Sequence, residues 1–147
     1  MAHIVVPHPA IPGLDRYLNV DSKVGPGCPN IPSDVQAVQS ILSLLVKASH
    51  SSTGLTPLLE INGRFDTVTG FFIFLAQVNM HRRNPSGFKV DGCISAAGHN
   101  YYYGSGGIFS IVELNMAAKT ADQRGWDAVL QRFPVRGGNQ LHGGGPH

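Results

Sequence analysis

Seven histidines and two cysteines are the residues from which catalysis or metal binding would have to start in this 147-residue chain. His3, His8, His50, His81, His99, His142 and His147 include no HExxH or HxxxD pair on a predicted helix, the spacing that would put two ligands on one helical face. His142 and His147 flank a GGGP stretch and could catch a metal adventitiously. Cys28 and Cys93 form neither a CxxC nor a zinc spacing, which leaves two readings open: two free, partly buried thiols, or one long-range disulfide. Cys93 has no adjacent His to activate it as a nucleophile, and no GxSxG offers a serine. The sequence therefore predicts a protein that is not an enzyme, with no catalytic residue, no metal and no cofactor.

The polar residues that remain cluster around a short repeat. Ile61-Asn62-Gly63-Arg64-Phe65-Asp66 matches Val90-Asp91-Gly92-Cys93-Ile94-Ser95 position by position: apolar, Asx, Gly, variable, apolar, helix cap. Asn or Asp bonds its own backbone two residues on, while Gly accepts the positive φ that such a turn demands. The next apolar residue, Phe65 or Ile94, is expected to tuck into the core and aim a helix capped by Asp66 or Ser95.

Helices must carry these turns. Ser33 and Gln36 form an S-x-x-Q capping box after Pro32, and Val35, Val38, Ile41, Leu42 and Leu45 follow at helical spacing, with Gln36, Gln39, Ser40, Ser43 and Lys47 opposite. This amphipathic helix is expected to end near Ser49. A second helix, about Thr67 to His81, carries Val68, Phe71, Phe72, Ile73, Phe74, Leu75, Ala76 and Val78 around nearly its whole circumference, so it reads as the central one. Gly70 within it suggests close helix contact. A third helix begins after Gly107 and ends near Thr120; a fourth, with Thr120 and Gln123 as a capping box and Pro134 as a stop, presents Trp126, Val129, Leu130 and Phe133. The prolines and glycines of residues 1–32 predict an extended arm, whose apolar residues suit packing on the domain or on a partner. Residues 33–120 form the helical domain, 121–134 an additional helix and 135–147 a flexible Gly-rich tail. The fold class reads as all-α.

Composition excludes several functions. A net charge of +2 with 14% charged residues does not suit nucleic-acid binding, and the basic triplet His81-Arg82-Arg83 fits a helix C-terminus. The longest apolar run, Phe71 to Ala76, is far short of the roughly 20 residues of a membrane span. The first residues show no basic and apolar signal pattern, so the expected location is the cytoplasm, or the periplasm or cell exterior by a signal-independent route.

In that order, SDVQAVQSIL, INGRFDTVTGFFIFLAQ and GFKVDGCIS resemble the peptidoglycan-binding-like domain, a small three-helix module usually appended to cell-wall hydrolases and related proteins. Asp34, Val35, Val38, Gln39 and Leu42 match its first-helix pattern; Ile61, Gly63, Phe65, Thr69, Ile73 and Gln77 match its central motif; Val90, Asp91, Gly92 and Ile94 match its second turn. The resemblance spans roughly residues 33–115. The chain differs from the family pattern at Asn62, Asp66-Thr67, Ala76 and Gly98, and by the insertion HNYYYGSGG.

The resemblance implies a three-helix bundle, here with an extended N-terminal arm and an extra C-terminal helix, and non-catalytic binding of bacterial cell-wall peptidoglycan or its stem peptide. Such a ligand presents amides, hydroxyls and carboxylates, which suit Asx side chains, helix N-termini and an aromatic platform. The candidates are Asn62, Arg64, Asp66, Asp91 and the consecutive Tyr101, Tyr102 and Tyr103. The alternative is a structural or adaptor protein of a secretion or phage-tail-like machine that keeps the fold and binds a protein partner. The long apolar arm and the extra helix favour it, because a minimal wall-binding module needs neither.

Overall fold

The computed structural model describes residues 1–7, 10–50, 59–87, 89–98, 102–103 and 107–136. It is a mostly helical small domain of four helices with a two-stranded antiparallel hairpin near the N-terminus. In chain order come β1 (His3–Val5), β2 (Tyr17–Asn19), α1 (Pro32–His50), α2 (Thr67–Arg83), β3 (Tyr102–Tyr103), β4 (Gly107–Ile108), α3 (Ser110–Ala121) and α4 (Gln123–Leu130). β1 pairs with β2 in the register Ile4 to Leu18, and β3 with β4 in the register Tyr102 to Ile108. The all-α reading is thus corrected by two short antiparallel pairs. Proline breaks the helix but leaves three-residue stretches between turns free to pair.

α1 and not α2 is the central helix. Val35, Ala37, Val38, Gln39 and Ile41 are fully buried, and Ser40 and Leu42 nearly so. Of the side of α1 that the amphipathic pattern assigns to solvent, Gln36 and Lys47 are exposed, but Gln39, Ser40 and Ser43 are buried. Its polar residues are accommodated locally, as where the Ser40 hydroxyl donates to the Gln36 carbonyl at 2.8 Å. α2 buries only Thr69, Ile73, Gln77 and Met80, while Phe71, Phe74 and Leu75 stand 55%, 48% and 38% exposed. An apolar circumference demands cover only if the chain has elements left to supply it. Here the arm and α4 packed on α1 and α3 together, leaving one face of α2 uncovered.

Two helix starts also differ from the sequence pattern. Pro32 opens α1, a position where its missing donor costs nothing, so Ser33 lies inside the helix and its hydroxyl accepts the Ala2 amide at 3.0 Å. α4 is capped by Asp122, which accepts the Gly125 amide at 3.0 Å; Thr120 belongs to the last turn of α3.

The arm is held by buried polar groups as well as by Leu14, Leu18, Val20 and Val24, each at most 1% exposed. Asp34, fully buried on the first turn of α1, accepts the amides of Asp21 at 3.2 Å and Ser22 at 3.1 Å. Asn115 on α3 is also fully buried. Its Oδ1 accepts the Leu18 amide at 2.9 Å and the Trp126 indole N–H at 3.0 Å, and its Nδ2 donates to the carbonyls of Leu18 and Ile111, both at 2.8 Å. Arg16 and Lys119 each lie 5.3 Å from the Trp126 ring centroid, and Arg16 pairs with Asp127 at 2.9 Å. Beyond α4 the chain returns to β1, where Ile4 donates to Pro134 at 2.7 Å and accepts from Arg136 at 2.8 Å. Part of the expected tail therefore joins the sheet; residues 137–147 lie outside the described set.

Asn115 joins β2, α3 and α4 at one point, so truncating it strands the Leu18 backbone groups and the Trp126 N–H in the core. Asn115→Ala is expected to destabilise the protein by about 3 kcal/mol or more, measured by urea denaturation with Trp126 fluorescence.

Candidate functional site

Each Asx-Gly turn is held by a buried glutamine from the preceding helix. Gln39 of α1 is fully buried; its Oε1 accepts the amides of Asn62 and Gly63, both at 2.9 Å. Its Nε2 faces the Arg64 carbonyl at 3.0 Å, the Thr69 hydroxyl at 3.0 Å and Asn62 Oδ1 at 3.1 Å. Gln77 of α2 repeats the arrangement at the second turn. Its Oε1 accepts the Gly92 amide at 2.7 Å, and its Nε2 donates to the Cys93 carbonyl at 2.8 Å and to Asp91 Oδ1 at 3.1 Å.

Inside each turn the Asx oxygen accepts the amide two residues on: Arg64 from Asn62 at 2.9 Å, Cys93 from Asp91 at 3.0 Å. Gly63 and Gly92 sit at φ of 77° and 80°, a region closed to most side chains. A Cβ at Gly63 would also lie 3.1 Å from the Pro32 carbonyl oxygen, at the start of α1.

The apolar residues after the turns follow the pattern in part: Ile94 tucks into the core but no helix follows it directly, and Phe65 precedes α2 but only packs against the core edge. Ile94 is fully buried and exchanges two backbone hydrogen bonds with Val24 of the arm. Phe65 is half-buried, its ring lying where a Cβ at Gly70 would approach within 3.1 Å. Gly70 therefore makes room for an aromatic ring rather than for another helix. Asp66 caps α2 by accepting the Thr69 amide at 2.8 Å. That backbone hydrogen bond, helped by the Thr69 hydroxyl, holds the Asp66 carboxyl below its usual pKa. Ser95 caps no adjoining helix. α3 starts fifteen residues later, and there the Ser95 carbonyl accepts from Ile111 at 3.3 Å while the Ser95 and Ser110 hydroxyls pair at 3.0 Å.

Between the two turns runs an open groove of about 530 Å³, lined by Phe65, Asp66, Thr67, Gly70 and Phe74 on the α2 side and by Pro26 and Gly92 on the other. Of the candidate residues, Asp66 lines it. Asn62 and Asp91 spend their Oδ1 atoms inside their turns, leaving Asn62 Nδ2 and Asp91 Oδ2 without a partner among the described residues. The exposed Arg64 contributes backbone bonds to the first turn and a positive charge near Asp66. Tyr102 and Tyr103 form β3, where the backbone alone is described, and Tyr101 lies outside the described residues.

The sequence pattern did not mark Phe74 as a site residue, since it placed the whole circumference of α2 in the core. Nor did it mark Gln39 and Gln77 as the holders of the turns. A glutamine among apolar helix positions, followed by an Asx-Gly pair, was the signal available for that role.

A second depression, of about 300 Å³, lies between α1, α2 and α3, lined by Leu42, Leu45, Phe72, Leu75, Met80 and Leu114 among others, with Arg83 at its edge. Among the described residues no group of three His, Cys, Asp or Glu is placed to hold a metal ion, and no helix is long and apolar enough to cross a membrane. The groove presents an aromatic face, one carboxylate and open space.

Replacing either glutamine by leucine leaves turn amides unpaired in the interior. Gln39→Leu and Gln77→Leu are each expected to cost about 2–4 kcal/mol, read from denaturant midpoints. Asp66→Ala is expected to cost about 1 kcal/mol at neutral pH. Because the folded pKa of Asp66 lies below its unfolded value, the cap's contribution is complete above the ordinary 3.8 and is lost as pH falls through the depressed folded value. Stability curves of wild type and Asp66→Ala measured against pH should converge at the acid end.

Compared with known proteins, the chain matches no family model, no curated protein and no solved structure.

Proposed function

We propose that the chain binds bacterial cell-wall peptidoglycan or its stem peptide without transforming it, and that the ligand lies in the groove between the two turns. The observation that carries this reading is the pairing of two glutamine-held turns across an open groove with an exposed aromatic wall. Phe74 offers a flat apolar face for a sugar ring or an alkyl side chain. Asp66 places a carboxylate at the groove edge for amide or ammonium groups, and the turns give the groove rigid sides. A pre-formed site binds without the cost of ordering loops. The resemblance of residues 33–115 to the peptidoglycan-binding-like domain points the same way.

The exposed apolar face of α2 favours a second reading, an adaptor of a secretion or phage-tail-like machine that binds a protein partner. Phe71, Phe74 and Leu75 lie at helical spacing on one face, and Phe71 and Leu75 are not part of the groove lining. Large exposed apolar side chains grouped in this way mark contact surfaces.

Co-sedimentation with purified sacculi separates the two. The wild type should pellet with sacculi, Phe74→Ala should weaken retention roughly tenfold, and Phe71→Ala should leave it unchanged. If neither the wild type nor Asn62→Asp is retained, wall binding is wrong. A stable protein partner recovered from native lysate and lost in Phe71→Ala would then establish the adaptor reading.

A further inference from the structure

Cys28 and Cys93 are 65 positions apart in sequence, yet their sulfurs lie 2.8 Å from each other. Both thiols are half-exposed. The surrounding backbone is built for this closeness. Val24 and Ile94 exchange hydrogen bonds of 3.1 and 2.8 Å, pinning the arm to the strand of chain that follows the second turn. Between that bridge and Cys28 lies Gly25, where a Cβ would fall 2.5 Å from the Gly92 carbonyl oxygen and 2.8 Å from Cys93 Sγ, so only glycine permits the approach. Asn30 clamps the same turn through its side chain, accepting from Gly25 N–H at 2.8 Å and donating to the Gly25 carbonyl at 2.9 Å. The two sulfurs need to close by only about 0.8 Å to reach the roughly 2.05 Å of a disulfide bond.

We propose that Cys28 and Cys93 form an intramolecular disulfide in an oxidising compartment, stapling the N-terminal arm to the second Asx-Gly turn and fixing the Pro26–Gly92 side of the groove. The oxidant is a small-molecule or protein disulfide. The Cys28 thiolate attacks one of its sulfurs and expels the other as thiolate, giving a mixed disulfide; Cys93 then loses its proton and attacks Cys28 Sγ, releasing the second thiolate. Two protein thiols give up two electrons and two protons, and one oxidant disulfide becomes two thiols. With both thiols reduced, burial and then the hydrogen bond and charge of Cys28 push the Cys93 thiol up to about 11; in the mixed disulfide the Cys28 contributions are gone, while burial and Asp91 still raise it and Lys23 acts against them. The closing attack therefore accelerates with pH. The staple needs no ligand in the groove, so it stands whatever that ligand is.

Full-length protein incubated with oxidised glutathione tests this. The expected product is a monomer lighter by two hydrogens, with no titratable thiol and a peptide map joining the Cys28 and Cys93 peptides. Its Tm should exceed that of the reduced protein by on the order of 10 °C, because the bond closes a long loop in the unfolded chain. Cys28→Ser and Cys93→Ser should fold and show no such rise. The rate of closure from the mixed disulfide should climb roughly tenfold per pH unit on the neutral-to-alkaline side. The proposal is overturned by thiols that stay titratable, by glutathione adducts that never resolve, by a disulfide-linked dimer, or by an intramolecular bond that leaves Tm unchanged or lowers it.

Discussion

A buried glutamine that reads the backbone of a turn is the interaction on which the helical part of this protein depends. An Asx-Gly turn has amides pointing inward with no ladder partner, and burying such groups unpaired costs more than a hydrogen bond returns. Gln39 and Gln77 meet that need with a carboxamide, which offers an acceptor to the turn amides and donors to the turn carbonyls and Asx oxygens at once. No charge has to be desolvated. The arrangement also runs as a relay. α1 holds the turn that starts α2, and α2 in turn holds the second turn, so the start of α2 is set by the helix before it.

The arm changes what the helices have to do. Packed with α3 and α4 around the first amphipathic helix, it leaves α1 buried and the more apolar α2 at the surface. Asp34 and Asn115 make this possible, since each satisfies arm backbone groups that the two-stranded hairpin leaves unpaired. The exposed face of α2 is therefore a consequence of how the apolar cover was distributed. It is also the surface on which Phe74 meets the groove.

At the two turns the side chains proposed for binding already carry structural duty. Asn62 and Asp91 give one oxygen each to the turn, while Asp66 gives an oxygen to the helix cap, and only Asp66 of the three lines the groove. Any ligand is then met by fixed backbone, one carboxylate edge and an aromatic face, a combination suited to selecting shape and apolar surface over charge.

Local chemistry made much of this legible before any fold was known. The Asx-Gly pairs, the cap at Asp66, the plug at Ile94, the Pro stop after α4 and the helical spacing of four segments all depend on residues within a turn or two of one another. What only the tertiary structure decided depends on distant residues. Which helix became central followed from where the arm and α4 packed, and periodicity on α2 carries no information about that. Ser33 and Ser95 have cap-like sequence settings, yet one meets Ala2 and the other meets Ser110, because long-range neighbours competed for their hydroxyls. The two cysteines were open to either reading in sequence. The bridge between Val24 and Ile94 brings them together, since backbone pairing across the arm sets sulfur positions that spacing along a chain cannot.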